Sequence, residues 1–241
     1  MFTFERHITN LDFIRQQSTG YANSHSGIKV CLVAFDEFSY RDTLFTQLSL
    51  PFPDVLKSAG AKRRAEYLAG RYAARQLLQE VGYNGVVATG TDRAPVWPRG
   101  WRGSISHTDT SAIAILTPNH FGISPGVDIE MFRPDIMQEI ATSFTTADER
   151  DVLLAANCLP FDTALLIAFS AKESLFKALY PLVQQTFGFE VAKLYEIDPN
   201  THTFTLELTR KLVPIFRAGY RVSGYYSIGP VGVTTMVYVS I

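Results

Sequence analysis

The chain has 241 residues, 46% of them hydrophobic, which is enough to bury a full core as one large domain or as two halves of about 120 residues each, and this excludes a disordered chain. Its 22 Lys and Arg nearly balance 23 Asp and Glu, so net charge supplies no case for nucleic-acid or membrane binding, and any electrostatic function must come from local clusters. Cys31 and Cys158 are the only cysteines, too few for a disulfide framework or a cysteine-rich zinc site.

The first ten residues, MFTFERHITN, carry Glu5, Arg6 and His7 where a signal peptide needs an apolar run, and no later segment is apolar enough to span a bilayer. The expectation is a soluble cytoplasmic protein. IKVCLVAF (28–35) reads as a strand, because β-branched residues dominate it and no breaker interrupts. AKRRAEYLAGRYAARQLLQEVG (61–82) reads as a helix closed by Gly82, with Tyr67, Gly70, Ala74, Leu77, Leu78 and Val81 on its apolar face. TDRAPVWPRGWRG (91–103) is rich in Pro and Gly and predicts a loop. SISHT and SAIAIL follow as strands, TPNHFG turns the chain, and ISPGVDIEMF is a strand ended by Pro134. Thr146 and Glu149 form a capping box opening a helix through ADERDVLLAAN, that is, through Asn157. After the break at Pro160, FDTALLIAFSAKESLFKALY is a second long helix. The rest alternates as strands, with DPNT (198–201) and GP (229–230) as turns.

Each half thus holds a long helix and several antiparallel strands. The pattern predicts an α+β fold, a monomeric pseudo-dimer of two similar halves, 1–122 and 123–241, with functional residues collecting between them.

The chemistry concentrates in a few stretches. In GVDIE, Asp128 and Glu130 share one face of a strand, roughly 7 Å apart along the chain. A solvated face is the ordinary explanation for Asp-x-Glu, but Pro125, Gly126 and Pro134 confine this pair to a short strand. The second helix adds FSAKESLFKAL, where Leu165, Ala168, Phe169, Leu175, Phe176 and Leu179 form the buried stripe. Glu173 and Lys177, four apart, lie on its flank, and alone they would be a surface ion pair. Lys172 falls inside the apolar stripe, where a lysine needs an anionic target. Three carboxylates, Asp128, Glu130 and Glu173, suit a hard divalent ion, and lysines beside them suit phosphate oxygens. On the first helix Arg64, Leu68, Arg71 and Arg75 fall on one stripe, and like charges at those spacings cost stability unless an anion offsets them. His107 ends a short strand in the same half.

GVDIE followed about forty residues later by FSAKESLFKAL resembles the paired signature of the 4'-phosphopantetheinyl transferases, which move phosphopantetheine from coenzyme A to a serine of a carrier protein. KRRAEYLAGRYAAR and RAPVWPRGWRGSISHT extend the likeness to the enterobactin-synthetase and surfactin-synthetase type, from about residue 60 to 180. Residues 1 to 60 carry no part of it, and Phe169 stands where many relatives have Trp.

The resemblance implies Mg²⁺, with Mn²⁺ as an alternative, held by Asp128, Glu130 and Glu173. It implies Lys172 and Lys177 near the metal and the pyrophosphate, and His107 at the 3'-phosphate of coenzyme A. Arg63, Arg64, Arg71 and Arg75 match the region that binds coenzyme A phosphates, and Ser106 and Arg93 lie beside the nucleotide. Glu173 serves as ligand, as general base, or as both. The implied partners are apo carrier proteins of fatty-acid, polyketide, peptide or siderophore synthesis. A Mg²⁺-dependent coenzyme A pyrophosphate hydrolase and a non-catalytic coenzyme A-binding module use many of the same residues and remain open on sequence alone.

Overall fold

The structure, a computed structural model, describes residues 1–9, 12–156 and 158–241. It is an α+β fold. Its chain divides into two compact units, Phe2–Gly122 and Ile123–Ile241, the second including Met1.

In the first unit, strands β1 (Phe2–Thr9), β2 (Ile14–Ala22) and β3 (His25–Phe35) precede a short helix α1 (Thr43–Gln47) and the long helix α2 (Ala61–Glu80). A two-residue ribbon, β4 (Ala88–Thr89) with β5 (Pro95–Val96), leads to β6 (Trp101–His107) and β7 (Ser111–Pro118). The main sheet is antiparallel in the order β1-β2-β3-β7-β6. The sequence reading missed β1 and β2 and began β3 three residues late. It also assigned 91–103 wholly to a loop, whereas Trp101–Gly103 already pair with β7.

Helix α2 packs on this sheet through a different and wider face than the apolar one read from the sequence. Leu68, Ala69, Tyr72, Ala73, Leu77 and Leu78 are buried against Cys31, Val33 and Leu116, whereas Tyr67 and Val81 of the expected face are only half-buried. Alanines at 69, 73 and 74 make this possible, since small side chains let the helix sit close to the sheet. Gly70 extends the same logic: a Cβ there would lie 2.9 Å from Ile105 Cγ2 on β6. Gly82 closes the helix in the left-handed region, φ 78°, as the sequence predicts, while the amide of Tyr83 donates to Leu78 O at 2.9 Å.

The second unit runs β8 (Ile123–Met131), α3 (Pro134–Phe144), α4 (Ala147–Ala155), α5 (Phe161–Val183), β9 (Ala192–Asp198), β10 (Thr203–Leu208), β11 (Arg221–Ile228) and β12 (Gly232–Ser240). Its antiparallel sheet has the order β8-β12-β11-β10-β9. Pro134 ends β8 as expected, but it also opens α3 at the first helical position, where its missing N–H costs nothing. Met137, Ala141 and Phe144, spaced four and three, bury one face of that helix.

The capping box of α4 forms, with Thr146 N donating to Glu149 Oε2 at 2.9 Å and Glu149 N to Thr146 Oγ1 at 3.3 Å. That helix ends at Ala155, and Asn157, to which the sequence reading carried it, lies outside the described residues. Helix α5 continues past Pro181 to Val183 and stops at Gln184, whose left-handed backbone returns its N–H to Tyr180 O at 2.8 Å. Among the described residues no helix is long and apolar enough to cross a membrane.

Candidate functional site: a basic cavity and a carboxylate cluster

The first candidate element is a cavity of about 370 Å³ in the first unit. Helix α2 contributes Arg63, Glu66 and Arg71, the β4–β5 turn contributes Arg93, and β6 contributes His107. The turn is tight: Arg93 has φ 70°, its N–H donates to Gly90 O at 3.0 Å, and Asp92 accepts from Ala94 N at 3.0 Å.

Arg71 is the buried cation of this cavity, 7% exposed. Its guanidinium donates to Tyr67 Oη at 3.2 Å, Ala88 O at 3.2 Å and Thr89 Oγ1 at 3.1 Å, and it lies over the Tyr67 ring. All these acceptors are neutral, and among the described residues no carboxylate pairs with it. Burial lowers its pKa, with the Tyr67 hydroxyl acting in the opposite direction. A buried guanidinium without a counter-ion is costly to keep charged.

The other arginines of the expected stripe turn elsewhere. Arg64 donates to Leu56 O at 3.0 Å and Lys57 O at 2.8 Å, pairs with Asp42 at 2.8 Å, and stacks over Phe52. Arg75 donates to Leu48 O at 3.0 Å. Both hold the segment before α2 rather than lining the cavity, and their stripe-mate Leu68 is fully buried. Ser106 also lies away from it. Ile105 and His107 line the cavity, and a strand's period of two sends the intervening Ser106 to the opposite face, where it is 6% exposed.

The second element is in the other unit. Asp128, 2% exposed on β8, accepts from Lys177 Nζ at 2.7 Å through Oδ1 and from Ser170 Oγ at 2.7 Å through Oδ2. Ser170 reaches Thr235 Oγ1 at 2.9 Å, and Ser174 reaches the same oxygen at 2.7 Å. Thr235 is the cross-strand partner of Asp128. This hydroxyl network was not foreseen, although serines four apart in an otherwise apolar helix, on either side of Lys172 and Glu173, are a readable signal for it. Helix α5 and β8 approach closely because residue 126 is glycine: a Cβ there would stand 1.9 Å from Ser174 O.

Glu130 and Glu173 feel the same centre. Burial first and the Asp128 charge second push the Glu130 carboxyl up to about 8, with Lys177 opposing and Glu173 adding to the rise. Burial also raises Glu173, with Lys177 opposing and Asp128 reinforcing. Among the described residues no three His, Cys, Asp or Glu side chains are already gathered as a metal cage. The donor chemistry nonetheless fits a hard divalent cation: three carboxylates, two of them half-buried against their own ionisation, with one lysine to offset them.

Lys172 finds a different anion from the one the resemblance implies. Its ammonium sits 2.7 Å from Glu149 Oε1 and donates to Phe144 O at 2.7 Å, and both side chains are almost wholly buried. It also lines, with Glu173, Phe176, Phe187 and Phe189, an apolar cavity of about 270 Å³.

Comparison with known proteins bears on both units. Residues 52–117 match the model of the 4'-phosphopantetheinyl transferase N-terminal domain, and residues 124–224 match that of the 4'-phosphopantetheinyl transferase superfamily. The chain is 42% identical over 194 residues to enterobactin synthase component D of Salmonella typhimurium, covering 80% of this chain and 77% of that protein. It is 43% identical over 157 residues to the protein of the same name from Escherichia coli K12, covering 64% and 71%. It is 33% identical over 183 residues to 4'-phosphopantetheinyl transferase Npt of Nocardia iowensis, covering 68% and 79%. The chain therefore belongs to the 4'-phosphopantetheinyl transferase superfamily, as a transferase of the enterobactin-synthase type.

Proposed function

We propose that this enzyme transfers the 4'-phosphopantetheine group of coenzyme A to a serine hydroxyl of an apo carrier protein and releases adenosine 3',5'-bisphosphate. The observation that carries the choice of donor is Arg71, a buried cation with neutral partners in a cavity shared with Arg63, Arg93 and His107. Such a cavity suits the phosphorylated nucleotide end of coenzyme A.

Mg²⁺ or Mn²⁺ held by Asp128, Glu130 and Glu173 would supply Lewis-acid stabilisation of a pyrophosphate. Around that position the chain's own groups have distinct tasks. Lys177, anchored on Asp128, offsets charge on the pyrophosphate as the P–O bond to the leaving group breaks. Glu173, a carboxylate that burial makes more basic, accepts the proton that the attacking serine hydroxyl must lose. Lys172 holds α5 against Glu149 and so fixes Glu173, its neighbour in sequence. The apolar cavity beside Glu173 suits the uncharged pantetheine arm and keeps water from competing with the serine.

The relatives named for enterobactin synthesis favour carriers of siderophore or peptide assembly over those of fatty-acid or polyketide synthesis. We place the enzyme in the cytoplasm, acting as a monomer. Incubating it with coenzyme A, Mg²⁺ and a panel of apo carrier proteins, then weighing the carriers, tests the proposal. A carrier that gains the phosphopantetheine mass supports it, and unmodified carriers with hydrolysed coenzyme A would favour a pyrophosphate hydrolase.

A further inference from the structure

We infer that Glu66 is a positioning residue of the phosphate site, and that a phosphate monoester enters by opening the Arg63–His107 contact while His107 takes up a proton. The inference rests on the reading of this cavity as the coenzyme A phosphate site.

Arg63 Nη1 lies 2.5 Å from His107 Nε2. A guanidinium carries only N–H donors, so Nε2 must be the accepting lone pair. The imidazole in this arrangement is therefore neutral, with its proton on Nδ1. That nitrogen faces Glu66 Oε2 at 3.7 Å, and the same oxygen is 3.4 Å from Arg63 Nη1. One carboxylate oxygen thus addresses both groups, from a side chain only 12% exposed.

A protonated His107 does not fit this contact, because an Nε2–H would point at an arginine N–H and two cations would abut. A phosphate oxygen between the two resolves the conflict by accepting from Arg63 and from Nε2–H. For that bond Nε2 must gain a proton, which comes from solvent. The resulting imidazolium keeps Glu66 at its Nδ1 side as counter-charge, so Glu66 both aims the pair before binding and stabilises the charge created by binding. The other charged groups around the cavity do not replace it. Arg71 on α2 and Arg93 on the β4–β5 turn are cations, and Asp109 on the β6–β7 turn is taken by Lys62 at 2.7 Å.

The test is calorimetry of the intact protein at about pH 8, where a free imidazole is neutral, in two buffers of different ionisation heat. Coenzyme A should bind with uptake of about one proton, and 3'-dephospho-coenzyme A with none. The uptake should vanish in His107→Ala. Glu66→Gln should weaken coenzyme A roughly tenfold at about pH 8, less at about pH 6, and leave dephospho-coenzyme A unchanged, with Glu66→Asp recovering part of the loss. Wild-type binding of coenzyme A without proton uptake overturns the inference and leaves the cavity's assignment standing. Equal weakening of both ligands by Glu66→Gln does the same. Failure of the wild type to bind coenzyme A at all overturns the assignment and this inference with it.

Discussion

Lys172 on α5 and Glu149 on α4 meet at 2.7 Å with 4% and 3% of their side chains exposed. Glu149 divides its carboxylate between two tasks: Oε2 closes the capping box of α4, and Oε1 accepts from Lys172 and from Leu194 N, the latter at 2.7 Å. One acidic side chain therefore ties together the start of α4, the middle of α5 and strand β9, at the point where α5 presents Glu173.

Removing one partner leaves the other charge buried. Lys172→Met or Glu149→Gln should each destabilise the protein by about 3–5 kcal/mol in denaturant unfolding. The double variant should cost well under the sum of the two, because the orphaned charge disappears with its partner. Additive losses would mean that the pair is not coupled as the geometry indicates.

Arg64 and Arg71, seven residues apart, should separate into stability and binding. Arg64→Ala breaks a fork to two carbonyls and Asp42, and should lose about 1.5–3 kcal/mol of stability. Arg71→Met removes a buried cation that lacks a counter-ion, and should change stability by no more than about 1 kcal/mol while weakening coenzyme A by roughly ten- to a hundredfold. Thermal unfolding and coenzyme A titration of both variants check this together.

Much of this was legible in the sequence, and the failures have physical causes. The two long helices, the capping box at Thr146 and the acids of GVDIE and KES follow from periodicity, local hydrogen-bonding chemistry and unexplained charge. Arg64 and Arg75 end away from the cavity for a different reason. Helical spacing fixes the direction in which an arginine leaves the helix but not where its long side chain ends, and nearby carbonyls at Leu48, Leu56 and Lys57 capture both guanidiniums. Lys172 shows the converse: its position in an apolar stripe demanded an anion, but only the fold reveals that Glu149, already spent on a cap, supplies it. Strand β2 was missed because IRQQSTGYA lacks a clean alternation, whereas FTFERHIT of β1 alternates but for Arg6 and was passed over. Gln17, Ser18 and Thr19 are consecutive and all buried, so both faces of β2 are covered and the pattern disappears.

The carboxylate cluster should respond to divalent ions independently of turnover. Mg²⁺ or Mn²⁺ should raise the unfolding midpoint of the wild type, and Asp128→Asn should abolish that rise. A chelator should stop transfer and added Mg²⁺ restore it. A midpoint indifferent to both ions would remove the metal from the account.

The two cysteines should differ sharply. Cys158 is exposed, whereas Cys31 is fully buried on β3, where burial first and the Glu80 charge second hold its thiol well above the ordinary range. A thiol reagent should label Cys158 alone in the native protein and both once it is unfolded. Because the fold keeps a proton that the unfolded chain releases, Cys31 contributes full stability below the ordinary thiol range and loses it as pH rises further, by up to about 1.4 kcal/mol per unit. Cys31→Ala should flatten that alkaline decline.

The most direct measurement is the release of adenosine 3',5'-bisphosphate from coenzyme A with and without an apo carrier protein. Transfer to a carrier predicts release only when the carrier is present, mole for mole with carrier modified on serine, and loss of both signals in Glu173→Gln. Release without a carrier, or release that outruns carrier modification, would contradict transfer and make the protein a hydrolase of coenzyme A.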